Sequence, residues 1–147
     1  MNNELIVANN PKSGVAEAIK TIRTNLLFSS IDEPVKSILM TSSMSGEGKS
    51  FVSANLAVAF AQAGVKVLIV DCDLRRGRQH KIFNIDNEQG LSNLLLDDVD
   101  KNYKKYIKKT RYENIYVLPM GIVPPNPSEL LASAKNKQLV KILKQKF

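Results

Sequence analysis

Residues 43–50 have the amino-acid types that bind a phosphate group. They read Ser-Met-Ser-Gly-Glu-Gly-Lys-Ser and end in the Gly-Lys-Ser of a phosphate-binding loop, although Ser43 stands where the usual pattern has its first glycine. Gly48 lets backbone N–H groups surround a phosphate at the positive end of a helix, Lys49 reaches the β- and γ-phosphates, and the Ser50 hydroxyl takes one Mg²⁺ position. The predicted cofactor-binding residues are Ser45, Gly46, Glu47, Gly48, Lys49, Ser50 and Phe51.

Two carboxylates follow directly after the apolar run Val65–Val70. Asp71 and Asp73 stand at the end of a predicted strand, and open parallel sheets bind ligands at the carboxyl ends of their strands. In an extended chain, alternation puts both side chains on the same side. Carboxylates beside a magnesium nucleotide hold the water shell of the metal or accept a proton from an attacking hydroxyl. We expect Cys72 to be a small buried residue and not a nucleophile. The predicted catalytic residues are Lys49, Asp71 and Asp73, and the predicted metal-binding residues are Ser50, Asp71 and Asp73.

The apolar pattern predicts the elements that must position these residues. Ile38–Thr41 is a short apolar run that predicts a buried strand leading into the phosphate-binding loop. Ser50–Ala63 is rich in alanine and apolar on most faces, which predicts a buried helix ending at Gly64. Val65–Val70 predicts a second buried strand, and a strand–helix–strand order makes the two strands parallel. The predicted fold class is therefore α/β.

Further elements are predicted on both sides of this unit. They are a helix over Val15–Ser29, a short helix over Leu91–Asp97, a strand over Ile115–Leu118 and a last helix carrying Leu139, Ile142 and Leu143. Asn126, Pro127 and Glu129 have the spacing of a capping box at a helix start. Residues 1–14 are polar and rich in asparagine, so we predict a flexible N-terminal arm there and one domain over residues 15–147.

Composition limits the class of protein. The 147 residues are 44% hydrophobic and 24% charged, which is typical of one globular domain and excludes a disordered chain. One cysteine allows no intramolecular disulfide, and we recognise neither a signal peptide nor an apolar run that spans a bilayer, so a cytosolic protein is expected. The formal charge of +7 favours a polyanionic partner, such as nucleotide phosphate, nucleic acid, an anionic membrane or an acidic protein.

Basic residues also cluster outside the phosphate-binding loop. Arg75 and Arg76 follow the two carboxylates and could pair with phosphate or with the carboxylates themselves. For Arg76, Arg78 and Lys81 we favour the alternative of solvated charges at a polar strand exit. Residues 101–111 contain six basic residues and no acid. This segment is compatible with a surface for anionic lipid or for an acidic partner, and also with a solvated amphipathic segment, which we favour.

Four motifs together resemble one family. SGEGKS, VLIVDCDLRR, GLSNLL and NIYVLPMGIVPPNPSELLAS are similar, over about residues 10–147, to the bacterial tyrosine kinases (BY-kinases) that regulate capsule and exopolysaccharide biosynthesis. Many ATPases share the first motif, whereas the Asp-x-Asp-x-Arg ending and Pro-Pro-Asn-Pro-Ser-Glu-Leu-Leu are far more particular. The resemblance implies an ATP-dependent, autophosphorylating protein-tyrosine kinase with a P-loop fold, using ATP and Mg²⁺.

The resemblance also assigns roles to particular residues. Lys49 and Ser50 match the Walker A lysine and the Mg²⁺-binding hydroxyl, and Asp71 and Asp73 match the Walker A′ carboxylates. In the family, a strand bearing the Walker B aspartate follows the helix that here reaches residues 146–147, and a tyrosine-rich cluster follows later. Neither is present in this sequence. We therefore expect a three-layer α/β/α sheet without its C-terminal strands, and a truncated kinase of impaired activity.

Partners are implied in the same way. The family self-associates through Glu-x-x-Arg-x-x-Arg on its first helix, which here reads Glu17, Lys20 and Arg23. Lysine in the middle position keeps the charge but not the bidentate fork of arginine. The family also pairs with a membrane-spanning polysaccharide co-polymerase or activator. The expectation is a homo-oligomer at the inner face of the cell membrane, held there through that partner, with no nucleic acid.

One alternative belongs to a different class. A P-loop positioning or partitioning ATPase acts as a nucleotide-switched binding module without kinase activity. Such proteins carry an additional lysine early in the loop, and residues 42–46 contain none, which favours the kinase. A nucleic-acid binder would account for the net charge, but no recognisable module supports it.

Overall fold

The computed structural model describes residues 4–29 and 34–147 of the chain. Its elements in chain order are α1 (Ile6–Asn9), α2 (Gly14–Phe28), α3 (Lys49–Gln62), β1 (Val67–Val70), α4 (Gln79–Phe83), α5 (Leu91–Leu94), α6 (Val99–Tyr106), β2 (Lys108–Lys109), β3 (Ile115–Leu118), α7 (Pro127–Ala132) and α8 (Ala134–Lys146). Helices and the strands of one small sheet are interspersed along the chain. The predicted α/β class is therefore confirmed.

The sheet has three strands in the order β1-β3-β2. Strands β1 and β3 are parallel, with Val67 opposite Ile115 and Val70 opposite Leu118. The two-residue strand β2 pairs antiparallel to β3, which makes the sheet mixed. The sequence predicted β1 and β3 because both are continuous apolar runs, whereas β2 consists of two lysines and was not predicted.

Helices cover both faces of the sheet, in three layers. Alternate side chains point to opposite faces of a strand. On β1, Ile69 packs into a core with α1, α2 and α3, and Leu68 and Val70 pack into a second core with α5, α6 and α8. On β3, Val117 joins the first core and Leu118 joins the second. The predicted α/β/α layering is confirmed.

The strand predicted over Ile38–Thr41 is not formed. Residues 34–42 have no regular secondary structure, and Leu39 is 86% exposed. A strand needs a partner for its backbone groups and cover for its apolar side chains. Strand β1 pairs with β3 on one side, and within residues 4–29 and 34–147 no strand pairs with its other edge. The prediction was therefore wrong: the apolar run does not pair with the unpaired edge of β1, and its apolar side chains are left largely in solvent.

The N-terminal segment packs closely over residues 4–9, in contrast to the predicted flexible arm. Leu5 and Val7 are fully buried. The Asn55 side chain on α3 accepts a hydrogen bond from the Val7 N–H at 3.0 Å and donates one to the Glu4 carbonyl at 2.8 Å. Two apolar side chains and one buried amide hold this polar-looking segment against α3, and residues 1–3 of the predicted arm lie outside the described residues.

The starts of α2 and α7 differ in how they are capped. Helix α2 begins one residue before the predicted position, and the Ser13 hydroxyl accepts a hydrogen bond from the Ala16 N–H at 3.2 Å. At the start of α7, the capping box predicted for Asn126 and Glu129 is not formed. The Asn126 amide donates to the Glu129 carboxylate at 2.8 Å, so it faces the acidic side chain rather than the first turn of the helix.

Candidate functional site

The predicted phosphate-binding loop leads directly into α3. Gly48 precedes the helix with a φ of 91°, a left-handed conformation that favours glycine, and it has no side chain to cap the first turn. The Lys49 ammonium donates to the Ser42 hydroxyl at 2.9 Å, which in turn donates to the Met44 carbonyl at 2.9 Å. The Glu47 carboxylate accepts from the Met44 N–H at 3.1 Å. The loop is therefore held by hydrogen bonds of its own side chains, and Lys49 reaches across it to Ser42.

Asp71 lies at the carboxyl end of β1 and is almost completely buried. Its N–H donates to the Leu118 carbonyl at 2.9 Å, so the ladder with β3 continues into this residue. One carboxylate oxygen accepts from the Gln79 N–H at 2.9 Å and the other from the Asp73 N–H at 3.3 Å. A Cβ atom at Gly77 would lie 2.7 Å from the Asp71 Oδ2. Only glycine lets the backbone pass this close to the carboxylate.

Asp73 lies in a different environment from Asp71. The chain turns after Asp71, with the Leu74 N–H donating to the Cys72 carbonyl at 3.0 Å, so the alternation expected of an extended chain does not apply. One Asp73 oxygen accepts from the Arg76 N–H at 2.9 Å, and the residue is partly exposed. Cys72 is exposed, which corrects the expectation of a buried residue, because the turn carries its side chain away from the core.

Gln79 connects the two predicted motifs, and the sequence analysis missed it. Its backbone N–H binds Asp71, while its side-chain amide donates to the Ser50 carbonyl at 3.2 Å and to the Ser53 hydroxyl at 2.9 Å. The Gln79 side chain is buried, and its Oε1 has no hydrogen-bond partner among the described residues. A glutamine on the same buried helical face as Ile82 was the available signal. Gln79 therefore joins the first turn of α3 to the carboxylate at the end of β1.

Burial sets the protonation behaviour of this region. It raises the pKa of Asp71, against the opposing effect of the amide hydrogen bonds from Gln79 and Asp73. It also lowers the pKa of the neighbouring His80. A carboxylate with a raised pKa accepts a proton more readily near neutral pH. The raised pKa of Asp71 is a property that favours a proton acceptor, and each of its carboxylate oxygens also accepts a backbone hydrogen bond.

The loops after β3 and before α5 fit together with almost no space. A Cβ atom at Gly90 would lie 2.2 Å from the Pro119 carbonyl oxygen and 2.4 Å from the Gly121 nitrogen. The Leu91 N–H donates to the Pro119 carbonyl at 2.7 Å, and the Ser92 hydroxyl donates to the Ile122 carbonyl at 2.6 Å. These contacts join the GLSNLL motif to the turn that follows β3, at the same edge of the sheet as Asp71.

The three residues predicted for self-association all make contacts within the chain. The Lys20 ammonium lies 2.8 Å from a Glu17 carboxylate oxygen and also donates to the Pro11 carbonyl at 2.7 Å. The Arg23 guanidinium donates to the Ala59 carbonyl on α3 at 2.9 Å. Lys20 and Arg23 therefore also serve to hold α2 against its neighbours.

The basic segment over residues 101–111 includes most of α6. Its tyrosines Tyr103 and Tyr106 face the core, and Lys104 and Lys105 are exposed. The Tyr106 hydroxyl donates to the Asp97 carboxylate at 2.8 Å. The helix is therefore amphipathic, with its basic face in solvent. No helix within residues 4–29 and 34–147 combines the length and the apolar character needed to cross a membrane.

Comparison with known proteins establishes the class first. The model of a family described as "AAA domain" matches residues 35–147, and the chain belongs to this family. The fold and the family together imply nucleotide binding.

Particular relatives then confirm the resemblance to the bacterial tyrosine kinases. The chain is 42% identical to the tyrosine-protein kinase YwqD of Bacillus subtilis over 139 residues, covering 95% of this chain and 58% of YwqD. The crystal structure of the chimerical protein CapA2B2 matches with a TM-score of 0.90 and 46% identity, covering 98% of this chain and 62% of that one. The kinase domain of Escherichia coli tyrosine kinase ETK matches with a TM-score of 0.87 and 35% identity, covering 97% and 55%. The chain thus spans little more than half the length of these relatives.

Proposed function

We propose that this chain carries the nucleotide-binding site of an ATP-dependent, autophosphorylating protein-tyrosine kinase of capsular or exopolysaccharide biosynthesis. The observation that supports this most directly is the connection between the two motifs. Lys49 and Ser50 begin α3, Asp71 directly follows β1, and Gln79 bonds to Asp71 and to Ser50. A phosphoryl donor and a proton acceptor are needed side by side for transfer to a hydroxyl.

Each residue has a defined task in this proposal. The backbone N–H groups after Gly48 and the Lys49 ammonium bind and neutralise the phosphates of ATP. Asp71 accepts the proton of the attacking tyrosine hydroxyl, aided by the burial that raises its pKa. Asp73 orients the turn after β1 through its bond from the Arg76 N–H. The residues Ser45, Gly46, Glu47 and Phe51 complete the proposed nucleotide-binding stretch.

The donor atoms in this region fit Mg²⁺. Ser50, Asp71 and Asp73 offer hydroxyl and carboxylate oxygens, which are the hard ligands that Mg²⁺ prefers. No group of three or more histidine, cysteine or acidic side chains that could hold a metal occurs within the described ranges. In the proposed site, one or two carboxylates together with substrate phosphates would hold the ion, which would neutralise phosphate charge when bound.

The test separates nucleotide binding from phosphoryl transfer. Of the four tyrosines, Tyr103 and Tyr106 are buried and Tyr112 and Tyr116 are half-buried, so an external Glu-Tyr copolymer is supplied as acceptor. Calorimetric titration with ATP and Mg²⁺ is expected to show binding that Lys49→Met weakens by about tenfold or more. Phosphotyrosine on the copolymer, measured by mass spectrometry, is expected to fall in parallel.

Lys36→Met is the matched control. It removes the same charge from an exposed position outside the loop and is expected to leave both measurements unchanged. Release of inorganic phosphate without any phosphotyrosine would contradict the kinase and favour the positioning ATPase. That alternative is less supported, since residues 42–46 lack lysine and the relatives described above include named tyrosine kinases.

The proposed partners are those of the family. A homo-oligomer would use Glu17, Lys20 and Arg23 on α2, and a membrane-spanning co-polymerase or activator would hold the chain at the inner face of the cell membrane. Light scattering tests the oligomer with Glu17→Gln. The mass is expected to fall relative to the unchanged chain, and an unchanged mass would exclude Glu17 from the contact.

A further inference from the structure

An open cleft of about 380 Å³ lies beside the turn after β1 and is lined mainly by arginine, histidine and lysine side chains, together with Gly77 and Met120. Its lining includes Arg75, Arg76, Arg78, His80, Lys81 and Met120. No acidic residue lines it. Of the carboxylates beside the turn, Asp71 is buried behind Gly77, and Asp73 accepts from the backbone N–H groups of Arg75 and Arg76.

The guanidinium groups of Arg75 and Arg76 are available for an anion. Both residues are exposed, and across the described parts of the chain neither guanidinium has a hydrogen-bond or ion-pair partner. Arg78 by contrast pairs with Glu4 at 3.0 Å. Guanidinium groups bind phosphate in a bidentate manner, and several cations around one cleft strengthen the field on such a ligand.

The turn that carries these arginines has a defined backbone. Asp73 accepts from the N–H groups of both Arg75 and Arg76, and Gly77 passes against Asp71 and Met120, where a Cβ atom would lie 2.7 Å from each side chain. Asp73 and the close contact of Gly77 with Asp71 therefore fix the backbone that carries the Arg75 and Arg76 side chains.

Met120 lines the inner wall of the cleft, but it is only 6% exposed and packs in the second core. The exposed arginines can supply the contact to an aromatic ring, because arginine stacks on such a ring. We infer that this cleft binds the phosphotyrosine side chain of a peptide, with Arg76 and its neighbours on the phosphate and on the ring. This inference rests on the proposed function for its choice of ligand, since a tyrosine kinase produces that group. It gives the chain a docking position for a phosphorylated segment beside the proposed transfer site.

The test uses the 147-residue chain and a fluorescein-labelled Gly-Ser peptide with one central phosphotyrosine. Fluorescence anisotropy is expected to show binding that Arg76→Gln weakens by about fivefold and that Arg76→Gln with Lys81→Gln weakens further. Arg111→Gln is the matched control, because it removes the same charge at the opposite end of β3 and is expected to leave the affinity unchanged.

Peptides with unphosphorylated tyrosine or with phosphoserine, and inorganic phosphate alone, are expected to bind more weakly than the phosphotyrosine peptide. Equal binding of the phosphoserine peptide or of inorganic phosphate would overturn the choice of ligand. If Arg111→Gln weakened peptide binding as much as Arg76→Gln, the net charge of the chain would explain the binding, and the proposed site would be overturned. Saturating ATP is expected to leave the peptide affinity unchanged, and competition would overturn the inference by assigning the cleft to the nucleotide. Calorimetric ATP titration on the same samples shows separately whether the proposed function fails.

Discussion

Two regions of the molecule are held in sharply different ways. One is formed by the carboxyl ends of β1 and β3, and the other is the segment before the phosphate-binding loop. Asp71 continues the sheet ladder, and the turn after β3 is locked against Gly90 by contacts between backbone atoms. Residues 34–42 have no regular secondary structure, and Leu39 lies 86% exposed. One half of the candidate site is therefore built by tertiary contacts, and the other is held by hydrogen bonds within its own loop.

This difference teaches where the site gets its geometry. Lys49 and Gly48 keep their relation to α3 because helix and loop are continuous in the chain. Their position relative to Asp71 depends on Gln79. The side-chain amide of Gln79 binds Ser53 and Ser50, which lie 26 and 29 positions before it in the chain. Changes at the strand ends are expected to affect folding, and changes before the loop are expected to have little effect on it.

The largest effect is expected at Gly90. Gly90→Val places a Cβ atom 2.2 Å from the Pro119 carbonyl oxygen, and backbone atoms on both sides cannot move away. We expect a loss of about 3 kcal/mol or more in the free energy of unfolding, measured by urea denaturation. Gly14→Ala is the control, because its Cβ would meet nothing within 4 Å and alanine favours a helix. A Gly90→Val chain as stable as the control would contradict the close packing of this edge.

Next in size is the effect of Leu118→Ala. Leu118 is fully buried in the core between β3 and α8, so its truncation leaves a cavity. We expect about 2–5 kcal/mol of destabilisation in the same measurement. Leu27→Ala on α2 removes the same atoms from a side chain that is 53% exposed and is expected to change stability by less than about 0.5 kcal/mol. Similar losses in both variants would mean that burial in these cores does not determine stability.

A smaller effect is expected for Gln79→Leu. It removes the amide that donates to the Ser50 carbonyl and the Ser53 hydroxyl and replaces it with an apolar side chain of similar size. We expect about 1–2 kcal/mol of destabilisation, and weaker ATP binding in calorimetry because α3 and the end of β1 lose their connection. Gln145→Leu on the exposed face of α8 serves as the control for both measurements. Unchanged ATP binding in Gln79→Leu would remove Gln79 from the site.

The smallest effect is expected for Leu39→Ala. Its side chain is mostly exposed, so truncation forfeits little buried surface, and a change within about 0.5 kcal/mol is expected. Urea denaturation beside Leu118→Ala gives the direct comparison of the two regions. A loss above about 1 kcal/mol would show that the approach to the loop is packed in solution as firmly as the strand ends.

The same contrast explains which elements could be predicted from the sequence. Val67–Val70 and Ile115–Leu118 were recognisable because strands covered by helices on both faces are apolar along their whole length. Ile38–Thr41 has the same character but no pairing partner in the described chain. The two-residue strand β2 exists only through its pairing with β3, and its lysines carry no strand pattern. Gln79 was missed because its helical spacing to Ile82, the one available signal, does not point to Ser50 or Ser53.

The sequence by itself determined the α/β class, the phosphate-binding loop and the acidic strand end, because these depend on residues within a few positions of one another. Backbone conformation, helix starts and the reach of a lysine across a short loop are local properties. The tertiary structure decided that Asp71 is buried while Asp73 is partly exposed, that Leu5 and Val7 tie the N-terminal segment to α3, and that Gln79 bridges two motifs. The physical reason is that burial and strand pairing come from contacts between residues far apart in the chain, which a local pattern does not specify.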